Sequence, residues 1–74
     1  MKFKGGEYMT VGERTKLFLV KNKVNQKDVA RGVGLTEDKL CQALNGNRKL
    51  SADEFESIIN YLGVSADEIM GVNI

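Results

Sequence analysis

Apolar residues recur along this chain at intervals of three and four, with polar residues between them, and no segment alternates with the period of two that marks a half-buried strand. The clearest stretch is Asn25 to Gly46, NQKDVARGVGLTEDKLCQALNG. It divides into two short helices. Asn25 can cap the first and Thr36 the second, because Asn and Thr side chains accept from the free N–H groups of a first helical turn. An apolar residue precedes each cap and another follows four residues inside: Val24 with Val29, and Leu35 with Leu40. Such pairs staple the entering chain to the helix. Gly34 falls between the two helices, where a left-handed residue permits a sharp turn. Val29, Ala30, Val33, Leu40, Ala43 and Leu44 are expected to face inward. Two helices joined this tightly form a helix-turn-helix pattern, whose second helix can be offered to a DNA major groove.

The same local signals order the rest of the chain. Thr10 and Glu13 have capping-box spacing and predict a first helix from Thr10 to about Asn22. Val11, Thr15 and Phe18 lie on its inward face. Leu17, Leu19 and Val20 widen the apolar arc beyond one stripe; Leu19 is expected to be buried, and Leu17 or Val20 to serve as a contact surface. Asn45 to Lys49 is a loop, with Gly46 at the left-handed position after the third helix. Ser51 and Glu54 open a fourth helix, with Leu50 stapled to Phe55, and Phe55, Ile58, Ile59 and Leu62 mark its buried face. Gly63 ends it. Ser65, Glu68, Val64 and Ile69 repeat the pattern for a short fifth helix to about Met70. Within the second helix only Gly32 is a misfit, costing up to about 1 kcal/mol relative to Ala unless close packing requires it. The expected fold is an all-α, compact five-helix domain over residues 10–74, preceded by an arm over residues 1–9.

Composition narrows the function classes. With 74 residues the chain makes one domain. Its one cysteine cannot form an internal disulfide, and with no secretory signal this favours a reducing cytoplasm. No apolar run approaches the roughly 20 residues that span a bilayer, so no membrane role is expected. There is no His, which removes His-based triads and zinc sites. The acidic residues lack calcium-loop spacing, and no phosphate-cradling loop is present. An enzyme is not expected, nor a catalytic residue, metal or cofactor. Cys41, in mid-helix, reads as a small packing residue rather than a nucleophile.

The net charge of +1 conceals a division. Residues 1–50 carry all 11 Lys and Arg with 5 acids, a net +6; residues 51–74 carry 5 acids and no base, a net −5. A basic majority with an acidic end can orient a molecule toward a polyanion.

Residues 10–70 resemble the lambda-repressor-like, Cro-type (XRE) helix-turn-helix family of small bacterial and phage regulators. The motifs that carry the resemblance are VGERTK, NQKDVARGVGLT, LCQALNGNRKLSADE and YLGVSADEIM, in order over about 60 residues. The resemblance implies a sequence-specific DNA-binding regulator with its third helix in the major groove of double-stranded DNA. It places Glu37, Asp38, Lys39 and Gln42 at base edges. It places Gln26, Thr36, Asn45, Asn47, Arg48 and Lys49 at the phosphate backbone. A single domain this small has few contacts alone, so a homodimer on two half-sites about one helical turn apart is expected, with Leu62, Ile69, Val72 and Ile74 as interface candidates, ordinary core being the safer reading for Leu62 and Ile69.

Two departures from the family pattern bear on this. Many relatives pair an Arg in the first helix with a Glu ending the third; Leu19 and Leu44 stand at those positions here. An apolar pair can replace a buried ion pair without loss, and both are therefore expected in the core. The second departure is that Glu37 and Asp38 open the reading helix and no Arg lies in it, so the common Arg–guanine contact is missing. Carboxylates can accept from the cytosine amino group; they also suit a helix N-terminus. The alternative function is a protein–protein interaction module that keeps the fold without binding DNA, with Glu37 and Asp38 addressing a basic partner.

Overall fold

Four short polar side chains set where the first four helices begin. In the computed structural model, which describes residues 9–70, the hydroxyl of Thr10 accepts from the Glu13 amide, and the Glu13 carboxylate accepts from the Thr10 amide, at 3.0 and 2.9 Å. This reciprocal cap opens α1, Val11–Lys21. Asn25 caps α2, Gln26–Val33, by accepting from the Lys27 amide at 2.8 Å. Thr36 caps α3, Glu37–Leu44, through the Lys39 amide at 3.1 Å. Ser51 and Glu54 form a second reciprocal cap at the start of α4, Ala52–Leu62. The bonds between Ser65 and Glu68, both 3.3 Å, introduce the five-residue α5, Ala66–Met70. No strand occurs among the described residues.

The helix ends follow from backbone freedom at two glycines. Gly34 has φ 78° and turns the chain from α2 into α3, with the Leu35 amide returning to the Ala30 carbonyl. Gly46, at φ 82°, closes α3: its amide donates to Ala43 and the next amide, of Asn47, donates to Gln42. This double return satisfies carbonyls that the helix end leaves free. The turn from α1 to α2 carries no glycine and places a lysine in the left-handed region: Lys23 has φ 58°, a conformation uncommon for residues with a Cβ.

The core joins α1 to α4. Leu19, Val29, Ala30, Leu40, Ala43, Leu44, Leu50 and Ile58 form one buried cluster. Val11, Phe18, Val24, Val33, Leu35, Phe55 and Leu62 pack around it, half-buried. Each fully buried Leu or Ile stabilises the fold by roughly 1.5–3 kcal/mol. Leu19 and Leu44 are both buried within this cluster, as the loss of a paired Arg and Glu requires. Thr15 is the one buried polar residue among the described residues, and its hydroxyl donates to the Val11 carbonyl at 2.8 Å. Its polarity is therefore satisfied within α1.

Three packings fix the arrangement of the helices. α1 crosses α3 at Gly12, whose missing side chain lets the Ala43 carbonyl approach. α2 rests on α4, with the Tyr61 ring lying over Gly32; the misfit glycine has its packing reason. α5 leans on α1, where Arg14 Nη1 donates to the Met70 carbonyl at 3.2 Å. In this position Ile69 is completely buried. It is a core residue with no surface to present to a second copy, which corrects its reading as an interface candidate. Val72 and Ile74, and the arm before Met9, lie outside the described residues.

Candidate nucleic-acid interface

The capped starts of α2 and α3 converge on one surface. Because Gly34 turns the chain within a few residues, the first turn of α2 comes to lie beside the first turn of α3. Gln26 and Lys27 from α2 form one wall of a groove of about 360 Å³, and Glu37, Asp38 and Cys41 from α3 form the other. Gln26 is half-buried, while Glu37, Asp38, Lys39 and Gln42 are exposed. Leu40, Ala43 and Leu44 hold the opposite face of α3 in the core. The helix therefore presents a polar ridge from a rigid base.

Cys41 belongs to this ridge and not to the packing. It is exposed, and its sulfur accepts from Asn45 Nδ2 at 3.2 Å. In an eight-residue helix with an apolar arc at Leu40, Ala43 and Leu44, position 41 falls on the polar side, a consequence of helical spacing that the residue type obscured. The Asn45 carboxamide oxygen in turn accepts from Lys16 Nζ at 2.7 Å. Lys16 thus reaches from α1 to the C-terminal end of α3, where a cation complements the helix dipole.

The loop after α3 holds the remaining sequence-derived positions, and they are not equivalent. Asn47 and Lys49 are exposed. Arg48 is committed inward: Nη2 donates to Glu54 Oε2 at 2.6 Å, and Nη1 is buried without a partner. The Glu54 side-chain hydrogen bond raises the Arg48 pKa further above its usual value, burial opposing it. The same bond to Arg48, aided by the Ser51 amide, holds the Glu54 carboxyl below its ordinary range. Glu54 thereby links the cap of α4 to the loop, and Arg48 is a brace rather than a free phosphate ligand. These loop residues share a groove with Thr10, Val11 and Gly12 at the start of α1. None of Asn47, Arg48 and Lys49 lines the Gln26 groove. Thr36 spends its hydroxyl on the α3 cap.

A matching family model decides what this scaffold is. The Cro/C1-type HTH DNA-binding domain matches residues 16–73. The chain belongs to that family. The match covers α2 to α5 and most of α1, and begins after the Thr10–Glu13 cap and Gly12. No curated protein and no solved structure matches this Cro/C1-type chain. No helix among the described residues is long and apolar enough to cross a membrane.

Proposed function

We propose that this Cro/C1-type domain is a sequence-specific, DNA-binding transcriptional regulator acting in the cytoplasm. The observation that carries the reading is the exposed ridge of α3 beside the half-buried Gln26 at the start of α2. α3 enters the major groove, Glu37, Asp38, Lys39 and Gln42 face base edges, and Gln26, Asn45, Asn47 and Lys49 hold the backbone. With carboxylates leading the helix, base amino groups are the matching partners, cytosine first. A domain of this size binds as a homodimer on half-sites one helical turn apart, with half-buried Leu62 and the tail residues Val72 and Ile74 at the interface.

The test is fluorescence anisotropy on a generic duplex at two salt concentrations. Affinity that falls steeply with salt supports phosphate neutralisation. Absence of binding at low salt and tens of micromolar protein overturns the reading. Sedimentation that finds only monomer, with and without DNA, removes the dimer.

A second reading, a protein-interaction module, has its own observation. Val20 is 64% exposed, and with Met9 and Leu17 it lines a groove along α1 that Glu13, Lys16 and Asn45 also border. Charge reversal at Lys39 and Lys49 separates the two, and spares the structural Arg48. It abolishes DNA binding under the first reading and leaves partner binding intact under the second.

A further inference from the structure

We propose that Lys16 and Lys27 form a two-point phosphate clamp, one lysine at each end of α3. This rests on the DNA-binding reading and goes beyond it, because neither residue lies in the helix-turn-helix loop or on α3 itself.

The first observation concerns which cations are free. Of the three arginines, Arg48 is partly buried and held by Glu54 at 2.6 Å, whereas Arg14 donates to the Met70 carbonyl at an exposed site and Arg31 makes only an exposed pair with Asp28 at 3.6 Å. Among the described residues no lysine is in an ion pair with an acid.

The second observation concerns where two of those lysines stand. Lys27 lies against the N-terminal end of α3, across the groove from Glu37 and Asp38. Its backbone amide is already occupied by Asn25, so its ammonium is the group left for a ligand. Lys16 lies at the C-terminal end, its ammonium fixed 2.7 Å from Asn45 Oδ1. An eight-residue helix is about 12 Å long, close to the roughly 12 Å width of the major groove. With α3 seated in the groove, the two lysines flank it toward the phosphates, Lys27 beside its first turn and Lys16 beside its last.

The arrangement also answers the difficulty posed by the acidic start of α3. Carboxylates at Glu37 and Asp38 repel the nearer phosphates. Lys27 beside them supplies the compensating charge, which lets the acids address base edges.

The experiment measures log K against log salt on a generic duplex for the wild type, Lys16→Gln, Lys27→Gln and the double variant. Each phosphate contact contributes about 0.9 to the slope. Each single variant is expected to lower the slope by about 0.9 and the double by about 1.8. Glutamine at position 16 retains a donor for Asn45, so the loss there reports charge. Ser57→Glu, which adds a negative charge on the exposed side of α4, is expected to leave the slope unchanged. A wild type that binds with a salt slope unaffected by either lysine overturns the clamp and leaves the DNA-binding reading standing. So does an equal loss of slope in Ser57→Glu, which would assign the effect to net charge. A wild type with no salt-dependent binding overturns that reading itself. Thermal unfolding followed by circular dichroism verifies that each variant is folded.

Discussion

Gly12 of α1 lies against the backbone carbonyl of Ala43 in α3, so close that a Cβ at position 12 would overlap the carbonyl oxygen. The obstructing atom is backbone of a helix whose inner face is packed in the core, so it cannot swing aside. This contact sets how near α1 approaches the C-terminal end of the candidate reading helix.

Gly12→Ala is accordingly expected to destabilise the domain by about 1–3 kcal/mol, the usual cost of overpacking. That outweighs the roughly 0.5–1 kcal/mol by which Ala exceeds Gly in a helix. A urea titration would show a lower midpoint with little change in slope.

Gly32→Ala is the contrasting case. The atoms nearest its Cβ would be those of the Tyr61 ring, and Tyr61 is 47% exposed. The ring can rotate outward, so loss of its packing and gain in helix propensity nearly cancel. The expected stability change is within about 1 kcal/mol, with a shift in tyrosine fluorescence as the ring moves. A loss as large as that of Gly12→Ala would show that Tyr61 cannot yield.

Leu44→Ala removes a completely buried side chain at the end of α3. Such truncations cost about 2–5 kcal/mol, a large share of the stability of a small domain. Circular dichroism at 25 °C should show the variant substantially unfolded or melting far below the wild type.

The bond from Arg48 makes Glu54 easier to ionise in the folded chain than in the unfolded one, its carboxyl standing below the ordinary 4.5. A depressed carboxyl contributes stability that is fully present above the unfolded value and is lost as pH falls through the folded one. The wild type should therefore weaken between about pH 5 and the depressed folded value. Glu54→Gln should be less stable at neutral pH and show a shallower loss over that interval. Parallel curves for the two proteins would exclude Glu54 as the source.

Glu37→Gln with Asp38→Asn tests the acidic ridge. Removing two negative charges from the proposed contact face should tighten binding to a generic duplex. If the carboxylates read cytosine amino groups, preference among sequences selected by the wild type should fall by about 1–3 kcal/mol per base. Unchanged generic affinity would place both acids away from DNA.

Local structure was legible in the residues because its causes are local. A cap, a staple or a left-handed glycine acts within about five residues, so Thr10, Asn25, Thr36, Ser51, Gly34 and Gly46 each marked a boundary that the fold respects. Helical spacing likewise placed Leu19, Val29, Leu40, Leu44 and Ile58 inside. The resemblance to the Cro-type family rested instead on longer motifs, NQKDVARGVGLT and LCQALNGNRKLSADE among them, and the family match over residues 16–73 bears it out. Tertiary packing decided the rest. Lys16 meets Asn45 from 29 residues away, Tyr61 covers Gly32, and Ile69 is buried because α5 closes on α1. A charged residue shows in sequence only that it is charged. Whether its charge faces a ligand, as proposed for Lys27, or is spent on a neighbour, as in Arg48 and Glu54, depends on which helix packs beside it.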